Sequence, residues 1–138
     1  MYEIALATLD AGPIYCVWSG RRLAAERLDI DHRLPWSAWA CNDLWNLMPC
    51  DPRVNQTKKR ERLPSAGLLR ARAGPIQSWW QDAYVEASPV SAGQFYTEAK
   101  TSLPAPSSAS VDVVGVFAGL QSRRFTIWTD TQVAKWEG

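Results

Sequence analysis

The stretch from Asp29 to Pro64 reads DIDHRLPWSAWACNDLWNLMPCDPRVNQTKKRERLP, and it decides how the chain is organised. Residues 27–32 overlap the beginning of this stretch, and they alternate apolar and polar side chains. This alternation predicts a β-strand that ends at His32. A Trp-rich loop follows over 34–43, and 44–48 is predicted to form a second short strand.

A helix is predicted directly after the second strand. Asp51 is a favourable N-cap, and Pro52 suits the first helical position because its fixed φ is helical and its missing N–H is not needed there. The helix is expected to run to about Arg62, since Pro64 cannot continue it. The predicted order of elements is strand, loop, strand and helix.

The flanking parts of the chain are predicted to be mainly helical. A short helix is expected over 2–10, and a hairpin over 14–23 follows the break at Gly12-Pro13. Apolar residues at helical spacing predict further helices at 76–87, 92–103 and 111–125.

Length and composition fit an α+β fold with its own hydrophobic core. Of the 138 residues, 46% are hydrophobic and eight are Trp, which is enough to bury a core without disulfides. We expect a core domain at 13–65 with an N-terminal hairpin, and an accessory, mainly helical region at 66–138. A segment rich in Pro, Ala and Ser predicts a flexible linker near 104–110.

No part of the sequence is typical of secretion or of a membrane span. The first ten residues lack the basic region and apolar run of a secretory signal. The longest apolar stretch, 113–120, is far shorter than the roughly 20 residues that a transmembrane helix needs. We therefore expect a cytoplasmic protein with no membrane partner.

Positive charge is concentrated in one segment although the formal net charge is only +1. Residues 51–74 contain seven Lys or Arg against two acids. A local excess of this kind is typical of a surface that faces phosphates, although a solvated helix face is its commoner origin. Charge alone leaves both interpretations open.

Several elements of the decisive stretch resemble, in order, the His-Asn-His (HNH) endonuclease family. Residues 31–37 (DHRLPWS) are similar to the family's Asp-His element, and 42–49 (NDLWNLMP) to its Trp-Asn-Leu-x-Pro element. Residues 55–58 (NQTK) resemble its Asn-x-x-Lys element, and 62–64 (RLP) follow. In that family two strands and a helix surround one divalent ion, the ββα-metal motif, which is the order of elements that the residue pattern predicts.

The resemblance implies roles for four residues. His32 would be the general base, Asn46 would help to hold it, and Asp31 and Asn55 would bind the metal. Asn55 stands where the family name has its second histidine, which is similar to the family's His-Asn-Asn variant. Because carboxylate and amide oxygens suit hard cations, we expect one Mg²⁺ or Mn²⁺ ion as cofactor. Side chains alternate along a strand, so Asp31 and His32 serve one site only if the strand bends or bulges there.

The chemistry explains why a histidine is needed. Water is a poor nucleophile at neutral pH, so hydrolysis needs a base that accepts a proton near pH 7, as imidazole does. His32 is the one histidine in the sequence. We expect its second ring nitrogen to bond to an acceptor, a backbone carbonyl, so that the other faces water. The resemblance implies phosphodiester hydrolysis that leaves 5′-phosphate and 3′-hydroxyl ends.

Four basic residues near this site are candidates for contacts with nucleic acid. Lys58, Lys59 and Arg62 fall on the predicted helix or at its end, so we interpret them as phosphate contacts. Arg33 directly follows the base, and it is assigned either to the substrate or to a surface ion pair. The Trp residues, by contrast, are expected to pack the core and the loop rather than to stack on bases.

The cysteines offer a competing hypothesis. Many members of the family brace their strands with paired C-x-x-C zinc knuckles, and the segment around Cys16 resembles half of one with its second cysteine lost. Together, Cys16, Cys41, Cys50 and His32 would make a closed tetrahedral zinc site with no open position for catalysis. Because no matching cysteine pair follows in the chain, we expect no structural zinc.

Three functions therefore stay open at the level of the sequence. The first, which we expect, is an endonuclease that acts on DNA rather than RNA, the usual substrate of the family, with bacterial defence or restriction as a common setting. The second is a catalytically inactive module that binds nucleic acid, and the third is a zinc-braced structural module. The chain is also compatible with being a domain of, or a partner to, a larger protein that recognises the target.

Overall fold

The computed structural model describes residues 2–32, 34, 41–59, 62–104, 112–131 and 135–138. These residues form helices and short strands, which agrees with the expected α+β class. No helix among them is long and apolar enough to cross a bilayer. The strands are β1 (Ile14–Tyr15), β2 (Arg22–Leu23), β3 (Asp29–His32), β4 (Leu47–Cys50), β5 (Leu63–Pro64) and β6 (Lys135–Trp136), and the helices are α1 (Tyr2–Ala11), α2 (Ala66–Ala71), α3 (Ala73–Trp80), α4 (Pro89–Ser102) and α5 (Val113–Thr131).

The predicted N-terminal hairpin is confirmed. β1 and β2 pair antiparallel, and the turn between them contains Gly20 at a φ of 74°, a left-handed conformation that glycine adopts without strain. The backbone N–H of Gly20 donates to the carbonyl of Cys16 at 2.9 Å, which closes the turn. Next to it, the N–H of Val17 donates to the carbonyl of Pro49 at 3.2 Å, so the hairpin turn is joined to β4.

The central sheet consists of β3 and β4, paired antiparallel with His32 opposite Leu47. The first strand is confirmed, although residues Ala25–Arg27 form a 3-10 turn before it. The prediction of a strand over 44–48 was wrong in part, because Leu44–Asn46 form a 3-10 turn and β4 begins only at Leu47. The turn is closed by the N–H of Asn46, which donates to the carbonyl of Asp43 at 2.9 Å.

The helix after β4 begins where the sequence predicts it. Asp51 caps it, because its Oδ1 accepts from the N–H of Arg53 at 2.8 Å, and helical residues start at Pro52. The helix continues as the π-helix Val54–Lys59. Arg62 lies outside the helix and is exposed, so the expected extension to that residue is wrong.

The helices of the C-terminal half are present with shifted bounds. α3 continues directly into the π-helix Gln81–Val85, and Ser88 caps α4 by accepting from the N–H of Ser91 at 3.0 Å. Gly119 allows α5 to approach the end of α4, since a Cβ there would lie 2.8 Å from the carbonyl oxygen of Pro104. Nearly all of the predicted linker near 104–110 lies outside the described residues.

The pairing of β5 with β6 joins distant parts of the chain, and it was not predicted. β6, in the C-terminal tail, pairs in parallel with β5, and Pro64 lies opposite Trp136. The buried Arg124 of α5 supports this pair, because its Nε donates to the carbonyl of Pro64 at 2.8 Å. The Trp136 ring also packs edge-on against Trp18 at a centroid distance of 4.9 Å.

One hydrophobic cluster joins residues from both halves of the chain. Trp45, beside β4, is fully buried together with Trp80, Tyr84 and Phe95 from the C-terminal helices. Phe95 lies 5.5 Å from Trp80 and 5.7 Å from Tyr84, measured between ring centroids. The packing role expected for Trp45 is confirmed, whereas Trp36 and Trp39, for which the same role was expected, lie outside the described residues.

Candidate active site

His32 is the last residue of β3, and its imidazole is half-buried. Its Nε2 lies 2.8 Å from Oδ1 of Asn42. An amide oxygen only accepts hydrogen bonds, so Nε2 must be the donor, and a neutral ring then carries its lone pair on Nδ1. The acceptor at Nε2 is thus the side-chain amide of Asn42, where a backbone carbonyl was expected. The arrangement selects the ring tautomer in which Nδ1 accepts a proton.

Asn46 is fully buried and ties together the two ends of the loop after β3. Its Oδ1 accepts from the backbone N–H of Leu34 at 2.7 Å, and its Nδ2 donates to the carbonyl of Cys41 at 2.9 Å. Leu34 is two residues after His32, and Cys41 directly precedes Asn42. The Asn46 side chain therefore holds the backbone near His32 and the backbone next to Asn42, which accepts from the His32 ring.

Aromatic side chains from the C-terminal helices hold the segment opposite His32. The carbonyl of Leu47 accepts from Nε1 of Trp79 at 3.0 Å and from the hydroxyl of Tyr84 at 2.9 Å. Nε1 of Trp80 donates to the carbonyl of Trp45 at 3.1 Å. Burial raises the pKa of the Tyr84 hydroxyl above its usual range, so this group remains a donor at ordinary pH. The start of β4 is therefore fixed from outside the strand pair.

Helix α4 contacts the 3-10 turn that precedes β4. Oε1 of Glu98 accepts from the backbone N–H of Leu44 at 3.1 Å. Oδ2 of Asp43 accepts from Nε1 of Trp45 at 3.1 Å and from the hydroxyl of Ser102. Burial raises the pKa of Glu98, and the charge of Asp43 raises it further. The carboxylates of Glu98 and Asp43 therefore both take part in the contact between α4 and the turn.

Asp31 and Asn55 are the expected metal ligands, and both are half-buried. Asp31 lies opposite Met48 and His32 opposite Leu47, so the register of β3 contains no bulge, and the strand ends at His32. The expected bulge is therefore absent from the paired residues of β3, and a shared site needs the bend to lie where the strand ends, at His32. One carboxylate oxygen of Asp31, Oδ2, is buried.

The donor types at these two positions fit a hard cation. Mg²⁺ binds proteins through one or two carboxylates and completes its shell with substrate phosphates and water, so a carboxylate with an amide oxygen is a suitable donor set. In the part of the chain that the structure describes, no three His, Cys, Asp or Glu side chains are grouped as a metal site. Cys16, Cys41, Cys50 and His32 are thus not grouped in this structure as the tetrahedral zinc site of the competing hypothesis would require.

The cysteines occupy different environments. The hydrogen bond with the Cys50 thiol is the largest of the effects that lower the pKa of the Cys16 thiol to about 5. The backbone N–H of Ser19 also approaches the Cys16 sulfur, at 3.4 Å. At Cys41, by contrast, burial raises the thiol pKa to about 11. Cys16 and Cys50 thus form a buried pair beside the start of the helix, whereas Cys41 belongs to the loop.

Three of the four basic candidates lie at or just beyond the end of the helix that begins at Pro52. Lys58 and Lys59 are the last residues of the π-helix, and their side chains are not among those that the structure describes. Arg62 is exposed just before β5, and Arg33 lies outside the described residues. Their roles toward nucleic acid remain predictions.

Two residues of the site were missed by reasoning from the sequence. Asn42 lies within the element that resembles the family, and a search for a side-chain acceptor near His32 would have identified it. Glu98 has no local signal, because it is an ordinary polar residue of a helix far along the chain. Only the packing of α4 against the turn brings its carboxylate to Leu44.

Comparison with known protein families found a match that covers part of the chain. Residues 16–65 match the model of a family described as HNH endonuclease, which confirms the resemblance. The matched segment runs from the hairpin turn through β3, β4 and the following helix to the end of β5. No curated protein and no solved structure matches the chain. The segment is thus similar to HNH endonucleases, a class of hydrolases that cut nucleic acids and generally use divalent metal ions.

Proposed function

We propose that this protein is a metal-dependent endonuclease that hydrolyses phosphodiester bonds of DNA, with His32 as the general base. The observation that carries the proposal is the hydrogen bond from Nε2 of His32 to Asn42, inside the segment that matches the HNH endonucleases. In this proposal β3, β4 and the helix that begins at Pro52 constitute the ββα-metal unit. Their order and the antiparallel pairing of β3 with β4 support it.

The base acts through the nitrogen that does not contact Asn42. Nδ1 of His32 accepts a proton from a water molecule as the water oxygen attacks the phosphorus, and the bond from phosphorus to the 3′ oxygen breaks. The 3′ oxygen takes a proton from a second water molecule and leaves as a hydroxyl, the phosphate stays on the 5′ end, and the imidazolium afterwards releases its proton to solvent. As the ring becomes positively charged, its Nε2–H bond to Oδ1 of Asn42 becomes charge-assisted and therefore stronger. Asn42 thus stabilises the imidazolium as it forms.

Asp31 and Asn55 would hold the metal ion from the strand and from the helix. When bound, Mg²⁺ or Mn²⁺ supplies electrostatic stabilisation at the scissile phosphate. Asn46 does not touch the reacting atoms in this proposal. Its two hydrogen bonds hold together the two ends of the loop, close to His32 and Asn42. Lys58, Lys59, Arg62 and Arg33 would contact phosphates of the substrate.

Cleavage of supercoiled plasmid in Mg²⁺ or Mn²⁺ tests the proposal. His32→Ala should fold normally and lower the rate by about 10²–10⁴-fold, the usual contribution of a general base. His32→Gln is the matched control, because its amide N–H replaces the donor toward Asn42 but cannot accept a proton from water. Both variants should be equally slow. A His32→Gln enzyme with the rate of the wild type would show that His32 is not the base.

The products and the nucleic acid are tested separately. DNA ligase should reseal the nicks without prior phosphorylation, because it requires a 5′-phosphate beside a 3′-hydroxyl. Faster hydrolysis of an RNA of the same sequence would overturn the assignment to DNA. Binding of DNA without cleavage in either metal would instead identify a catalytically inactive binding module.

A further inference from the structure

The turn before β4 carries the acceptor for His32, and it is held from outside the matched segment. Asn42 bonds the imidazole, and Leu44, two residues later, donates its backbone N–H to Oε1 of Glu98 at 3.1 Å. Between them, Asp43 accepts from the hydroxyl of Ser102. Glu98 and Ser102 both belong to α4, which lies beyond residues 16–65. The backbone on the far side of Asn42 is therefore tied to a separate helix.

Helix α4 is well suited to fix this backbone because it is anchored on two sides. Phe95, about one helical turn before Glu98, and Ala99, directly after it, are buried in the core. The carbonyl of Ser102 accepts from a guanidinium nitrogen of Arg123 at 2.8 Å, which joins the end of α4 to α5. Nε2 of Gln94 also lies 3.4 Å from the oxygen of Glu98 that holds Leu44. The two groups that contact the turn thus have little freedom relative to the core.

Asn42 itself is exposed, so its side chain is not confined by packing. The direction of its amide oxygen therefore depends on where the backbone over 42–44 is placed. Asn46 fixes the residue before Asn42, through the carbonyl of Cys41. The residues after it are fixed by the two contacts from α4. Loss of either contact would let the amide turn away from the ring.

We propose that Glu98 and Ser102 are positioning residues, which hold the turn after Asn42 so that its amide oxygen stays on Nε2 of His32. The inference rests on the proposed role of His32 as the base. It makes α4 a working part of the active site rather than an accessory. Glu98 and Ser102 do not touch substrate; they act through the backbone N–H of Leu44 and the side-chain carboxylate of Asp43.

The raised pKa of Glu98 allows a positioning role of its acceptor oxygen to be distinguished from a stabilising role of its charge. Burial raises its pKa, so its ionised form is disfavoured in the fold. For an acid whose pKa is raised on folding, the contribution to stability is present at low pH and is lost as the pH rises through the folded value. At neutral pH a neutral acceptor should therefore be at least as stabilising as the carboxylate. Glu98→Gln keeps that acceptor oxygen and removes the charge.

The experiment compares Glu98→Ala, Glu98→Gln and Ser102→Ala in the full chain, with Thr97→Ala as an exposed control on the same helix. Single-turnover cleavage gives the chemical step, and steady-state kinetics separate kcat from KM. The ¹⁵N signals of the His32 ring report its tautomer, and they are unambiguous because the sequence has one histidine. Removal of one hydrogen bond predicts a fall in kcat of about 3- to 10-fold with KM unchanged.

Glu98→Ala and Ser102→Ala should lower kcat and reduce the population with a proton on Nε2, whereas Glu98→Gln and Thr97→Ala should behave as the wild type. A rate and ring signals unchanged in Glu98→Ala would overturn the proposal, as would a Glu98→Gln enzyme as slow as Glu98→Ala. If Glu98→Ala does not fold, Ser102→Ala decides by the same criteria. If the wild type does not cleave DNA, the proposed function fails, and the ring signals alone still decide whether α4 positions the imidazole.

Discussion

Replacing Asn42 with alanine tests the contact on which the catalytic geometry depends. The bond between its Oδ1 and Nε2 of His32 measures 2.8 Å. Before the reaction this is a neutral hydrogen bond, worth about 0.5–1.5 kcal/mol, and once the ring is protonated it is charge-assisted, worth about 1.5–3 kcal/mol. Only the difference, about 1–1.5 kcal/mol, lowers the barrier from the bound substrate. At 1.36 kcal/mol per factor of ten, kcat should fall about 5- to 15-fold.

The assay must isolate the chemical step. Nicking of supercoiled plasmid with enzyme in excess, at a saturating concentration, removes product release from the measured rate. Asn42→Asp is the matched control, because a carboxylate oxygen can take the place of the amide oxygen as acceptor for Nε2–H. The Asp variant should retain most of the rate, and the Ala variant should be slow but clearly faster than His32→Ala.

Two results would refute this reasoning. A rate for Asn42→Ala equal to that of the wild type would mean that the imidazole does not need this acceptor. An Asp variant as slow as the Ala variant would mean that the amide serves another purpose than accepting from Nε2. Circular dichroism of each variant should match the wild type, since the Asn42 side chain is exposed and contributes little to the core.

The remaining predictions concern the metal, the basic residues and the buried thiol. Activity should vanish in EDTA, and Asp31→Ala should regain part of it at high Mg²⁺ because the change weakens binding of the ion; rapid cleavage in metal-free buffer would contradict the assignment. Changing Lys58, Lys59 and Arg62 together to alanine should reduce the salt dependence of duplex binding, by about 0.9 in the slope of log K against log salt concentration for each lost phosphate contact. An unchanged slope would mean that these residues belong to a solvated face and do not contact phosphates. The lowered pKa of Cys16, about 5, means that its thiolate contributes stability above the ordinary thiol pKa of about 8.5 and loses that contribution as the pH falls toward 5. Urea unfolding should therefore show the wild type gaining stability over Cys16→Ser as the pH rises through this range, and parallel pH curves would argue against a thiolate.

Local patterns were sufficient for the elements that local physics controls. The hairpin turn at Gly20 and the helix start at Asp51 follow from glycine's access to positive φ and from side-chain capping, and both are present. The identity of His32 as the one imidazole is a property of composition and needs no structure. Where the local signal was ambiguous, as at Leu44–Asn46, the sequence predicted a strand and the chain forms a 3-10 turn.

The sequence by itself determined the α+β class, the order of the two strands and the helix, and the likeness to HNH endonucleases, because each depends on residues close together in the chain. Tertiary structure decided what surrounds His32. The acceptor on Nε2 is Asn42, ten residues away, and the turn behind it is held by Glu98 of a distant helix. Such contacts form only when core packing brings separate helices together, and no residue pattern within one segment encodes the partner that another segment supplies.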